Sequence, residues 1–570
     1  MEFKVEKISY IIRQYRHLAA VAGITLIWAM IYLPSLSVPD VTHNESRRIL
    51  PAITMVNTGN WAVPMLGGRP YFRKPPMMSW IIAAFYKLTG RHGILISRLP
   101  TTIFILCFAV ILVFMPSGIL DLEARVISSC IFLTTFGMIL QGRTANIDPV
   151  YVCFTGFATI LWLHGWSKNT SRWWRWLPAI IPLAVGMLLK GPLILFFFYT
   201  IVAVLLFLTS EKREILSLPS IITFAFSLIP FCVWSYYAKH GLLKAGSHPH
   251  FSSIWLHEIT YRFSLGRIGV AKWGRRVMGG IFQFLPWLPF LAWIKNISTG
   301  TTVGKKRQIF IKGAWITMLV CFVAISLVPL TKARYTLPLL PIFALTVAML
   351  ICYSPKRLNF SRLLERITHP FISFLAVLGL VLLGASFASR IFLEADQVSQ
   401  HARLKMILHT LASLPSYQTM TAALLVLVFL FLYKKGLFPS SSSFCSLIAL
   451  IISITLSLHL FFVFLLPTAL TFKHPARITA LAIDSFVENS SPVYAVGVGE
   501  PAFLAHLKHE WQVAIRFSSL KTLPEYLMIG KNSYKKLLKN VKNVKLRIVK
   551  CRKIKYKSHE YFLIKIEQSK

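Results

Sequence analysis

The sequence predicts a polytopic α-helical membrane protein with a small α/β domain at its C-terminal end, on three observations. Apolar residues make up 55% of the 570 residues, charged residues only 14%, and the mean hydropathy is +0.61, a balance that excludes an ordinary soluble globule. Apolar runs of spanning length, roughly 20 residues each, recur as far as residue 467. Beyond that point the runs give way to alternating apolar and polar stretches of the kind that form strands.

Taken in order, residues 1–17 are polar and carry Lys4, Lys7, Arg13 and Arg16, and the first span follows at 18–36. The positive-inside rule makes this start cytoplasmic. No small-residue cleavage pattern precedes a soluble domain, so the span reads as retained. Further runs lie at 97–116, 123–142, 149–166, 176–189, 191–209, 217–236, 277–296, 310–330, 335–353, 369–388, 419–433 and 443–466, giving about 13 spans. The run 77–86 after Pro75-Pro76 is too short to cross; with Trp80, Phe85, Tyr86 and Lys87 it reads as an amphipathic helix in the interface.

Charge fixes the alternation. The loops that should face the cytoplasm carry Lys168, Arg172 and Arg175, then Lys212 and Arg213, Lys305 to Arg307, Lys356, Arg357, Arg362 and Arg366, and Lys434 and Lys435. The same count puts the loop 37–96, the turn around Asp148, the loop 237–276 and the tail on the outer side. The chain therefore divides into a membrane domain, 1–467, and a basic extracytoplasmic domain, 468–570. That tail has 19 Lys and Arg against 7 Asp and Glu. Strands are expected at Val493 to Val496 and Val544 to Val549, with a turn at Gly497 to Gly499.

The formal charge of +42 suits cytoplasmic loops, anionic headgroups and an anionic glycolipid bound by the outer tail. It does not indicate nucleic acid, because the cations are scattered between spans and match no binding module. Of the eight cysteines only Cys551 lies in the polar tail. No Cys/His cluster suggests zinc and no disulfide framework follows.

The chemistry concentrates in the first outer loop. Asp40, Glu45, Arg47, Arg48 and the run Tyr71-Phe72-Arg73-Lys74-Pro75-Pro76 stand beside a span, a density of acids and bases that suits an anionic substrate handled at the bilayer surface. Asp148 lies at another outer boundary, where a carboxylate in apolar sequence is costly and tends to be functional. Lys190 in Lys-Gly-Pro, and Lys332, Arg334 and Tyr335 at the start of another span, add outer-side cations and a ring. His257 and Glu258 lie in the long aromatic loop 237–276, which suits a lid.

Asn44-Glu45-Ser46-Arg47-Arg48, Thr58-Gly59-Asn60-Trp61, Pro64, the Tyr71 to Pro76 run and Arg98-Leu99-Pro100, in that order, resemble the opening signature of the aminoarabinose transferase and protein O-mannosyltransferase superfamily. Ile147-Asp148-Pro149, Lys190-Gly191-Pro192 and Lys332-Ala333-Arg334-Tyr335 with Pro338 extend the resemblance over most of the chain. It implies a GT-C fold and a glycosyltransferase of a bacterial inner membrane that takes its sugar from a polyprenyl (undecaprenyl) phosphate donor.

The resemblance implies donor-phosphate contacts for Arg47 and Lys74, and Arg73, Lys190, Lys332 and Arg334 extend that set. Positioned cations stabilise a leaving phosphate as the glycosidic bond breaks. Asn44, Tyr71, Tyr335, His257 and Glu258 are the expected substrate contacts. The chain departs from the family pattern in two places. Asn44 stands where an aspartate is usual, and Arg73 replaces the glutamate before the lysine. Three arrangements answer the first departure: Glu45 acts as the base, Asp40 folds back to do so, or no base is needed because the acceptor is already a phosphate anion. Glu45 is the first choice, its alternative role being a first-turn helix carboxylate. Glu45 and Asp148 are the pair that would hold a divalent cation, although the expectation is that no cofactor is required.

The expected acceptor is lipid A or a related anionic glycolipid, and the expected state is a monomer among membrane lipids. Transfer to protein is the alternative, and a noncatalytic binder or transporter of lipid-linked sugar is a further one.

Overall fold

The computed structural model describes residues 2–66, 69–244, 269–291 and 304–353, most of 377–389, then 416–434, 443–467 and 475–487, and between 493 and 568 five strands with a few neighbours. The expected lid residues His257 and Glu258, and the turn Gly497 to Gly499, lie outside the described residues.

The chain begins with helices α1 (Glu2–Tyr32), α2 (His43–Thr58), α3 (Met77–Thr89), α4 (Ile94–Phe114), α5 (Leu122–Thr134), α6 (Phe136–Gly142) and α7 (Ile147–Ser167). Helices α8 (Arg172–Trp176), α9 (Ile180–Lys190), α10 (Leu193–Leu208), α11 (Leu218–Lys244), α12 (Val270–Phe282) and α13 (Lys305–Ser326) follow. A 3-10 turn, Ala333–Leu339, leads into α14 (Leu340–Cys352), and α15 (Ser416–Lys434), α16 (Ser443–Leu460) and α17 (Pro475–Asp484) complete the helical part.

Among the described residues, seven helices are long and apolar enough to cross a membrane, or eight if α5 and α6 form one span bent by 58°. The 13 expected runs include others whose helices are shorter or broken among the described residues. A hydropathy window averages over breaks that the backbone makes. At the boundary between the expected runs 176–189 and 191–209, Gly191, at φ +89°, and Pro192 separate α9, of 11 residues, from α10, of 16. The run 277–296 leaves its helix after Phe282. Among the described residues of the runs 369–388 and 419–433, the apolar stretches are Val377–Ser389 and, within α15, Thr419–Phe431.

Broken backbone in an apolar layer must find partners inside the protein. At the α5–α6 bend, the Phe136 and Gly137 amides donate to the Leu285 and Gln283 carbonyls at 2.8 and 2.9 Å, and Trp287 Nε1 donates to Thr134 Oγ1 at 2.9 Å. The break after α12 and the break in α5–α6 therefore satisfy each other.

Helix α7 and the Ala333–Cys352 segment are the most buried spans, and α7 separates two polar ends. At its Ser167 end, Lys306 Nζ donates to the Trp166 and Ser167 carbonyls at 3.2 and 3.0 Å. Nearby in sequence, Arg175 pairs with Glu214 at 2.7 Å and Glu211 at 3.3 Å, and Arg307 pairs with Asp121 at 3.0 Å. These come from loops that the charge count assigns to one side. At the Asp148 end stand Lys190 and Arg334, assigned to the other.

The first loop is ordered by α2, a two-stranded hairpin of β1 (Met65–Leu66) and β2 (Arg69–Pro70), and α3. Helix α3 buries Met78, Ser79, Ile82, Ala83 and Tyr86, a helical repeat of one inward face, while Leu88 is exposed. Its 13 residues are too few to span a bilayer. The later strands are β3 (Val493–Val496), β4 (Trp511–Ala514), β5 (Tyr526–Gly530), β6 (Leu546–Tyr556) and β7 (His559–Gln568), in the order β4-β3-β5-β7-β6. Strand β3 is parallel to β4 and β5, and β7 is antiparallel to β5 and β6.

Candidate functional site: a cation cluster around Asp148

The site is assembled on a buried ion pair. Arg98, the fifth residue of α4, and Glu45, in the first turn of α2, are both fully buried. Arg98 Nε donates to Glu45 Oε1 at 2.7 Å and Nη2 to Oε2 at 3.1 Å. The same guanidinium donates to the carbonyls of Leu36 and Pro39 at 2.8 Å and of Asp40 at 3.1 Å. One side chain thus satisfies the backbone of the chain leaving α1.

Glu45 has two further donors. The Thr42 amide lies 2.9 Å from Oε2 and the Ala145 amide 2.9 Å from Oε1. The Thr42 contact completes a capping box, with the Thr42 hydroxyl accepting from the Glu45 amide at 3.3 Å. Four donors fill the acceptor positions of a carboxylate. Expected as a base or metal ligand, Glu45 stands here as the first-turn carboxylate of α2 with all four acceptor positions taken, and it ties α2 to the turn before Asp148.

Asp148, 7% exposed, occupies the first turn of α7. Lys190 Nζ, at the end of α9, lies 2.5 Å from Oδ1, and Arg334 Nε lies 2.8 Å from Oδ2. The Arg334 contact is short but not aligned as a hydrogen bond, since its Nε has no hydrogen-bond partner, so it acts chiefly through charge. Lys190 Nζ also stands 4.5 Å from the Tyr335 ring centre and 5.1 Å from that of Tyr151, cation–π range. The Lys74 charge acts on Asp148 as well.

Of the arginine pair, it is Arg48 whose charge couples to Asp148. Its guanidinium lies 5.5 Å from the Tyr71 ring centre. Burial pushes the Arg48 guanidinium down from its ordinary value, and Tyr71 and then Asp148 offset part of that shift. Arg47 is half-buried one residue earlier, Asn44 is half-buried in the first turn of α2, and Asp40 offers its carbonyl to Arg98. Arg73 and Lys332 are exposed. The structure thus brings together Asp148, Lys190, Arg334, Tyr335, Lys74 and Tyr71 from the expected set. Sequence reasoning missed Arg48, Tyr151 and the part played by Arg98, whose signal is a charge inside the apolar run 97–116.

The residues named for a divalent cation do not fit one. Glu45 has no acceptor position left, and Asp148 already faces two cations that would repel a third. Among the described residues no group of three metal-ligating side chains occurs. The arrangement suits an anion instead: four cations around one carboxylate. An apolar groove of about 240 Å³ is lined by Ile281, Phe284, Trp315, Phe322, Leu339 and Phe343, of which Leu339 closes the 3-10 turn that carries Arg334 and Tyr335.

A family model described as dolichyl-phosphate-mannose-protein mannosyltransferase matches residues 73–237. Over 159 residues the chain is 26% identical to the undecaprenyl phosphate-alpha-4-amino-4-deoxy-L-arabinose arabinosyl transferase of Pseudomonas savastanoi pv. phaseolicola. That match spans 27% of this chain and 28% of the relative's length. The fold is similar over nearly all of both chains to crystal structures of ArnT from Cupriavidus metallidurans. The complex with undecaprenyl phosphate aligns with a TM-score of 0.63 at 16% identity, covering 96% of this chain and 97% of that one. The apo form aligns at 0.60 and 15% identity with the same coverage. The chain is thus similar over residues 73–237 to a mannosyltransferase family model, over 159 residues to an arabinosyl transferase, and in fold to ArnT.

Proposed function

We propose that the protein transfers a sugar from undecaprenyl phosphate to an anionic glycolipid of the bacterial cell envelope, lipid A or a close relative, on the outer face of the inner membrane. The observation that carries this reading is the cluster of Arg48, Lys74, Lys190 and Arg334 around Asp148. A lipid-borne phosphate enters beside these cations, and its hydrocarbon tail takes the groove next to Leu339. The likeness to a transferase that uses an undecaprenyl-phosphate sugar supports this donor.

In the reaction an acceptor phosphate oxygen attacks the anomeric carbon, and the bond from that carbon to the donor phosphate oxygen breaks. The departing phosphate gains negative charge, which Lys190, Arg334, Arg48 and Lys74 stabilise more in the transition state than in the ground state. An acceptor already ionised gives up no proton, which agrees with a site in which Glu45 and Asp148 are both engaged by cations. Asp148 holds Lys190 and Arg334 in place when no phosphate is bound.

The test is mass spectrometry of envelope lipids from cells with and without the protein; a glycolipid that loses one sugar on deletion is expected, and an unchanged lipid profile would sink the reading. Transfer to protein remains a second reading, favoured by the mannosyltransferase model over residues 73–237.

A further inference from the structure

Arg143 plays no part in the cation cluster, yet it is 6% exposed and stands five residues before Asp148. It closes the C-terminal end of α6, but its guanidinium turns to another helix: Nη1 donates to the Ile31 carbonyl and Nη2 to the Pro34 carbonyl. Those carbonyls lie at and just past the end of α1, where a helix has no N–H donors of its own to pair its last carbonyls. The plane of the guanidinium lies 3.7 Å from the Phe462 ring centre, and among the described residues no carboxylate pairs with it.

Phe462 sits in the π-helical turn Phe461–Leu465 that continues α16. Such a turn adds one residue to the helical repeat and re-aims the side chains there. One turn earlier, His459 Nδ1 lies 3.0 Å from the Met30 carbonyl, so the last span meets the end of α1 directly at His459 and through Arg143 at Phe462. The connection from α6 to α7 is then held twice. Arg143 fastens its start to α1 and Phe462, and Glu45 fastens Ala145 to α2. Asp148 follows directly.

We propose that Arg143 and Phe462 are positioning residues, which set Asp148 in register with Lys190 and Arg334 by fixing the connection from α6 to α7 against the ends of the first and last spans. This rests on the reading of the Asp148 cluster as the donor-phosphate site, but the geometry it asserts can be measured without turnover. Lys190 is shielded while Asp148 holds it, so loss of register exposes its amine.

The experiment is pulsed amine labelling of the full-length protein in detergent, read peptide by peptide by mass spectrometry. Arg143→Met and Phe462→Leu are each expected to label Lys190 about tenfold faster than wild type, as local opening becomes easier. Phe462→Tyr, which keeps an aromatic face, restores the slow rate. Lys306, at the opposite end of α7, serves as the control and keeps its wild-type rate. Unchanged labelling of Lys190 in both loss variants overturns the proposal, and so does a rise of Lys190 and Lys306 together, which marks general loosening. The donor reading is judged separately: it fails if undecaprenyl phosphate does not raise the unfolding temperature of wild type, whatever the labelling shows.

Discussion

Arg98 and Glu45 form a two-point ion pair with both side chains out of solvent, at 2.7 and 3.1 Å. Removing one partner strands a buried charge, which costs ~3–5 kcal/mol. Glu45→Ala and Arg98→Ala are expected to unfold well below wild type, and Glu45→Gln to fall between. Thermal unfolding in detergent measures this. A Glu45→Gln protein of wild-type stability with no transfer would instead mark Glu45 as a base.

Arg48 and Arg47 are neighbours in sequence but not equals in the site. Arg48 lies over Tyr71 and feels Asp148. Arg48→Ala should lower transfer by ~100-fold, the scale for losing one donor to a developing oxyanion, and Arg47→Ala by clearly less. Steady-state kinetics on the two variants decides the order.

Chelation should leave turnover unchanged, because neither Glu45 nor Asp148 has room for a divalent cation. Activity lost in EDTA and regained with magnesium would contradict the proposed chemistry.

The 3-10 turn that carries Arg334 leans on two glycines of α12. A Cβ at Gly280 would meet Thr336 Cγ2 at 3.0 Å, and one at Gly279 would meet Ala333 Cβ at 3.2 Å. Gly280→Val should therefore cost ~1–3 kcal/mol of stability through overpacking and weaken donor binding by moving Arg334. Unfolding temperature and the Michaelis constant for donor report the two effects.

In the strand domain Glu560 lies 2.7 Å from Lys531 Nζ and 2.6 Å from Lys553 Nζ. These two bonds, Lys531 first, hold its carboxyl down at about 2 against an ordinary 4.5. A depressed folded value stabilises above pH 4.5 and is lost as pH falls toward 2. The difference in unfolding temperature between wild type and Glu560→Gln should shrink over that window, and also at high salt.

Much of the site was legible because a charge at the end of an apolar run is conspicuous. Asp148, Lys190 and Arg334 announce themselves in this way, each from a different span, and they meet at 2.5 and 2.8 Å. The role of Glu45 was not legible, since it depends on Arg98 far along the chain and on the Ala145 amide. Nor was the choice between Arg47 and Arg48, which depends on how α2 is turned about its axis. The helix break at Thr135, inside the expected run 123–142, escaped hydropathy. Strand β5 is buried along most of its length and so lacks the alternation that marked β3.

The central claim is tested most directly by mixing the purified full-length protein with an undecaprenyl-phosphate sugar and lipid A and weighing the products by mass spectrometry. Lipid A bearing one added sugar on phosphate is expected from wild type and not from Lys190→Ala or Arg334→Ala. No new glycolipid, with sugar appearing instead on a serine-rich peptide or on nothing at all, would contradict it.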